Sequence, residues 1–147
     1  MEVLNGKIVL ITGASRGIGL ACAKVFASQG CNLILVARRK DRLEEIRKKI
    51  RAIKNVEVHI IAVDLNKTED VAQHLSKIPH KLKSIYILIN NAGIVTTDSK
   101  FQEIKPSDID CMIDTNFKAM ALLRSLSIIL CNYLVKHKVL IAPQIQS

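Results

Sequence analysis

The sequence predicts an α/β fold: a doubly wound parallel sheet with strand order 3-2-1-4 and helices on both faces. Three observations lead there. Short apolar runs alternate with segments of helical periodicity as far as about residue 123, the arrangement of successive βαβ units. The first run, Ile8 to Ile11, enters a glycine-spaced turn, and a helical pattern follows at once. A later run, Ile85 to Ile89, ends in Asn90-Asn91-Ala92-Gly93. Right-handed crossovers give the order 3-2-1-4, with the crevice between strands 1 and 4, where the order reverses.

Strands are expected near 7–12, 32–37, 56–63 and 85–89, and helices near 17–29, 41–53, 68–77 and 107–123. The first helix shows Ile18, Ala21, Cys22 and Val25 at three- and four-residue steps, and Gly30 ends it. Asp41 with Glu44 resembles a capping box opening the second helix, whose apolar face carries Leu43, Ile46, Ile50 and Ile53. Asp64-Leu65 closes strand 3 ahead of the helix at Thr68. Ser107 is the expected N-cap of the fourth helix. Its stripe of Ile109, Met112, Ile113, Phe117, Met120, Leu122 and Leu123 is wider than one face, which predicts a homo-oligomer contact through 107–123.

The turn after strand 1 reads Gly13-Ala-Ser15-Arg16-Gly17-Ile18-Gly19. Placed between strand and helix, it offers backbone N–H groups and the positive end of a helix dipole to a pyrophosphate. Gly13 can make the tight turn, Gly17 can let phosphate approach backbone, and Gly19 can let helix pack on strand. The expectation is a Rossmann-like dinucleotide-binding turn.

Composition bounds the alternatives. A chain of 147 residues with 49% apolar residues suits one domain, 1–147. The net charge of +9 is concentrated in residues 38–54, which hold nine basic and three acidic residues. Those charges fall on the face opposite an apolar stripe, and aromatic residues for base stacking are few, so a solvated helix is expected and nucleic acid is not. No apolar h-region follows Met1, and Ser125 to Val135 is too short to cross a bilayer, so neither a secretory signal nor a membrane partner is expected. Cys22, Cys31, Cys111 and Cys131 show no paired spacing and read as buried free thiols of a cytoplasmic protein. The four histidines show no ligand spacing, and no metal is expected.

The Gly-x-x-x-Gly-x-Gly turn preceded by Thr12, together with Asn90-Asn91-Ala92-Gly93, resembles the short-chain dehydrogenase/reductase family, continuously over about residues 5–123. That resemblance implies a nicotinamide dinucleotide held by Gly13, Ser15, Arg16, Gly17, Ile18 and Gly19. It implies further contacts from Asp64 and Leu65 at the adenine ring and from Asn91, Ala92 and Gly93 along the adenosine half, with Asn90 tethering neighbouring strands. An NAD-binding protein places an acid at the end of strand 2 to hold the ribose hydroxyls. Here Arg38 and Arg39 stand there. With Arg16 they imply NADP, through charge-assisted bonds to a 2′-phosphate, with NAD the less favoured cofactor.

The resemblance implies hydride transfer to or from a small-molecule carbonyl or secondary alcohol. Asp114-Thr115-Asn116 matches the site of the family's catalytic Asn, so Asn116 carries over. The family's Tyr-x-x-x-Lys pair does not: Tyr133 is followed by Lys136 at one residue too few, and Tyr86 stands four before Asn90. The tail 124–147 is atypical, and the C-terminal part of the fold is expected to be incomplete. Val139 to Ala142 resembles a later family strand, either brought forward by an internal deletion or belonging to an unrelated terminus. Two functions stay open: a short-chain NADP-dependent oxidoreductase, impaired here, or a non-catalytic nucleotide-binding chain.

Overall fold

The central strand, β1 (Ile8–Thr12), is buried at all five positions, because β2 (Asn32–Ala37) and β4 (Ile85–Asn90) flank it and helices cover both faces. The computed structural model describes residues 4–96, 100–130 and 138–141. Between these strands lie α1 (Gly17–Ser28), α2 (Lys40–Ile53), β3 (Val58–Ala62) and α3 (Thr68–Ser76). After β4 come α4 (Pro106–Ile113), a π-helical turn (Asp114–Lys118), α5 (Ala119–Leu130) and β5 (Lys138–Ile141). All strand pairs are parallel in the order β3-β2-β1-β4-β5. The expected order 3-2-1-4 is therefore present, and β5 adds to it: Asn90 pairs with Ile141, so β4 is no edge strand.

Alternate residues of each strand point to opposite faces, which divides the core in two. Leu10, Ile34, Val36, Ile61 and Leu88 pack with Val71 and Leu75 of α3 and Leu123 of α5. Val9, Ile11, Leu33 and Leu35 pack with Ala23 and Ala27 of α1 and Leu43, Ile46 and Ile50 of α2. Each fully buried aliphatic side chain contributes about 1.5–3 kcal/mol.

Local details depart from expectation. α1 meets the sheet through Gly19, Ala23 and Ala27, while Ile18, Ala21 and Val25 are exposed. A Cβ on Gly19 would collide with the Gly13 carbonyl oxygen, so this position admits only glycine. Ile53 is 85% exposed, because α2 ends at that residue. Gly30, at φ +80°, follows the last turn of α1 as expected.

Neither expected N-cap forms. α2 starts at Lys40 behind Arg39 with no side-chain cap; Asp41 lies inside the first turn, where its charge complements the dipole, and Glu44 pairs with Arg47. α4 starts one residue before Ser107, because Pro106 occupies the first helical position and holds Lys105 extended (φ −73°, ψ 143°). The helix expected at 107–123 is thus α4, the π turn and α5 in succession.

Of the cysteines, Cys31 alone is buried among the described residues, its Sγ donating to Leu4 O (3.2 Å) and burial raising its pKa. Cys22 and Cys111 are half-buried, a correction to the expectation, and Cys131 lies outside the described residues.

Candidate cofactor site

The carboxyl ends of β1 and β4 are joined by a small polar lock. Buried Thr12 donates from Oγ1 to Ile89 O (3.4 Å) and accepts from the backbone N–H groups of Asn91 (3.0 Å) and Ala92 (2.9 Å). Asn91 Nδ2 donates in return to Thr12 O (3.1 Å) and Gly13 O (3.4 Å). The side chain that tethers the neighbouring strands is therefore Asn91, not Asn90 as expected. Asn90 Nδ2 reaches Met120 O of α5 instead (3.4 Å). It is the last residue of β4, and its side chain falls on the α5 side of the sheet. In the sequence Thr12 is marked only by its place before the glycines.

Above this lock lies the glycine turn, with φ +63° at Gly13 and +54° at Gly17. L-residues with side chains rarely adopt such values. A Cβ on Gly13 would stand 2.8 Å from Asn91 Nδ2 and 3.1 Å from Ala92 Cα. The N-terminus of α1 follows with extended backbone at Arg16, no side-chain cap and no acid in its first turn. Its N–H groups and positive dipole end therefore face an anion-compatible opening.

That opening is a cleft at the carboxyl ends of the strands. Of the expected cofactor residues, Gly13, Ser15, Arg16, Arg38, Asp64, Leu65, Asn91, Ala92 and Gly93 line it. Gly17, Ile18 and Gly19 shape the turn and first helical residues rather than the lining, and Ile18 is exposed. Arg39 joins Ser15, Arg16 and Arg38 around an adjoining recess. Both Arg38 and Arg39 are exposed, so their guanidinium groups are open to an anion at the end of β2.

The far wall adds residues that sequence reasoning missed: Ala37, Val63, Asn66, Ile94 and Thr115. Asp64 Oδ1 accepts from Asn66 N (3.1 Å), fixing the turn after β3. Asn116 lies outside the lining but is bonded to Ile94 within it. Its Oδ1 accepts from Ile94 N and its Nδ2 donates to Ile94 O, both at 2.8 Å. Asn116 sits in the π turn, a feature that recurs at functional sites. No pattern in the sequence announces such a turn. Tyr133 and Lys136 lie outside the described residues.

The donor set suits a phosphate-bearing dinucleotide: a glycine turn, helix N–H groups, arginines at the end of β2 and an apolar wall from Val63 and Leu65. Among the described residues no group of three His, Cys, Asp or Glu side chains could hold a metal. No described helix is long and apolar enough to cross a membrane.

Known proteins are similar in sequence and share the fold. The family model for short chain dehydrogenases matches residues 7–132. Sulfoacetaldehyde reductase 2 of Chromohalobacter salexigens is 36% identical over 77% of this chain and 44% of its own length. The 11-beta-hydroxysteroid dehydrogenase-like 2 protein of Arabidopsis thaliana is 40% identical over 79% and 38%. The chain thus spans less than half the length of these two relatives. L-sorbose reductase from Gluconobacter frateurii, solved with NADPH and L-sorbose, superposes with a TM-score of 0.80 at 31% identity, covering 86% of this chain and 48% of that one. A metagenomic short-chain oxidoreductase solved with NADP gives 0.80 at 31%, covering 86% and 57%. With its glycine turn and its Asn-Asn-Ala-Gly segment locked together at one cleft, and the family match running over most of its length, this chain belongs to the short-chain dehydrogenase family.

Proposed function

We propose that this chain binds NADP(H) in preference to NAD(H), and that by itself it does not turn the cofactor over at a family rate. The observation that carries the cofactor reading is the recess of Ser15, Arg16, Arg38 and Arg39 beside the cleft, where an NAD-binding protein would present an acid. The complexes of two relatives with NADPH and NADP support it. When bound, the nicotinamide supplies or accepts a hydride at a carbonyl or secondary alcohol.

The chain's own residues would divide the work of holding it. The backbone of Gly13 to Gly19 and the α1 dipole receive the pyrophosphate. Arg38 and Arg39, with Arg16, take the 2′-phosphate. Asp64 and Leu65 border the adenine, Asn91 to Gly93 line the adenosine half, and Asn116 steadies Ile94 at the wall. Proton transfer to the carbonyl oxygen needs a donor within hydrogen-bond reach and a pKa drawn towards the working pH. The 147 residues contain no Tyr-x-x-x-Lys: four residues after Tyr86 stands Asn90, and four after Tyr133 stands His137.

We further propose a cytoplasmic protein that binds neither nucleic acid nor membrane. Ile109, Ile113 and Phe117, exposed at four-residue steps along α4 and the π turn, support a contact with a second copy.

The test has two arms. Fluorescence titration should show tighter binding of NADPH than NADH, and equal affinities would overturn the cofactor preference. NADPH absorbance should stay level with a panel of aldehydes, ketones and oxo acids. Robust oxidation that disappears in Tyr133→Phe would show instead an active oxidoreductase using Tyr133 with Lys136.

A further inference from the structure

We propose that Asn66, on the β3 side of the cleft, is a positioning residue for Asn116, acting through Thr115 and the π turn that carries both. Its bearing on catalysis rests on the oxidoreductase reading above; the contacts themselves do not.

Thr115 and Asn116 are consecutive, yet they reach opposite walls. The Thr115 hydroxyl donates to Asn66 Oδ1 in the turn after β3, 49 positions away. The Asn116 amide closes both of its hydrogen bonds on Ile94 in the segment after β4, 22 positions away. Asn66 is itself held on both sides, its backbone N–H by Asp64 and its Nδ2 donating to Cys111 Sγ of α4 (3.3 Å). The segment after β4 has a second attachment on the same helix: Thr96 Oγ1 donates to Asp108 O (3.3 Å).

These ties fall before the π turn and within it. Asp108 and Cys111 precede it, while Thr115 and Asn116 lie within it. A π turn accommodates one more residue than the α-helix that flanks it. Return to regular i→i+4 bonding would rotate the side chains after the turn relative to those before it. Asn66 spans the entry to the turn, binding Cys111 before it and Thr115 within it. Thr115 is 5% exposed, so loss of its acceptor would leave a buried hydroxyl unpaired. The Asp114–Lys118 ion pair (2.7 Å) also spans the turn, but its lysine is mostly exposed and holds it weakly. Asn66 therefore sets the rotation at which Asn116 meets Ile94.

The reporter is the Ile94 amide, whose partner Asn116 stays unmutated. Site-resolved hydrogen exchange on the full chain without cofactor should show Ile94 exchanging on the order of tenfold faster in both Asn66→Ala and Thr115→Val, the value of one buried hydrogen bond. Thr115→Ser, which keeps the hydroxyl, should restore the original rate. Amides of the β1–β2 ladder, such as Leu35, should not change in any variant. An unchanged Ile94 rate in Asn66→Ala and Thr115→Val would overturn the proposal. So would acceleration shared equally by Ile94 and Leu35, which would mean general loosening. Because no cofactor is present, failure here is separate from failure to bind NADPH.

Discussion

Thr12 and Asn91 hold each other from both ends: the Asn91 side-chain amide donates to the Thr12 carbonyl at 3.1 Å, and the Thr12 hydroxyl accepts from the Asn91 backbone N–H at 3.0 Å. Both residues are buried, 79 positions apart, at the carboxyl ends of β1 and β4. The reciprocity fixes the two strand ends against one another at the point where the sheet order reverses and the cleft opens.

Thr12→Val should therefore destabilise the fold while keeping side-chain shape. It strands the N–H groups of Asn91 and Ala92, which Thr12 Oγ1 now satisfies. One unsatisfied buried donor costs about 1–3 kcal/mol. Urea denaturation should show a midpoint lowered accordingly, with Thr12→Ser close to the original protein. A Thr12→Val midpoint equal to the original would mean that the lock contributes nothing to stability.

Gly13→Val should abolish binding of NADPH and NADH alike. The backbone at φ +63° is unsuited to a β-branched residue, and a Cβ would press on Asn91 Nδ2 and Ala92 Cα. Titration beside circular dichroism checks this, and retained affinity with a native spectrum would reduce the turn to a structural element.

Arg38→Ala should separate the two cofactors. A charge-assisted bond to a phosphate contributes about 1.5–3 kcal/mol, so NADPH affinity should fall on the order of ten- to a hundredfold. NADH, which has no 2′-phosphate, should bind almost as before. Parallel losses for both would point to a role for Arg38 in the shape of the cleft.

His59, on β3, supplies a pH signature remote from the cleft. Burial lowers its pKa, the nearby Glu57 carboxylate opposes that shift, and Arg47 adds to it. The unfolded chain then takes up a proton near the ordinary value of about 6.5, before the folded chain does. Stability should fall as pH drops below that value and level off beneath the lowered folded pKa. His59→Gln should flatten this part of the stability–pH curve in denaturation measured between about pH 5 and 7.5. An unaltered slope would assign the dependence to other groups.

Local features of the chain were legible because their causes are local. Apolar runs and glycine spacing mark β1, the turn and α1 without reference to anything distant, and alternation with right-handed crossover leads to the strand order. Arg38 could be placed at the end of β2 for the same reason. Helix starts were read less well where two local signals competed: Pro106 at the first helical position outweighed Ser107 as a cap.

What only the tertiary structure decided is partner choice across long separations. Asn90 and Asn91 are adjacent and chemically identical, yet one bonds to Met120 of α5 and the other to Thr12 of β1. Nothing in the order of residues pairs Thr12 with Ala92, or Asn66 with Thr115, because those hydrogen bonds exist only once the sheet has brought strand ends together. The π turn belongs to the same class. Helical propensity alone would run a regular helix through Asn116, and contacts to two walls of the cleft accompany the extra residue in that turn.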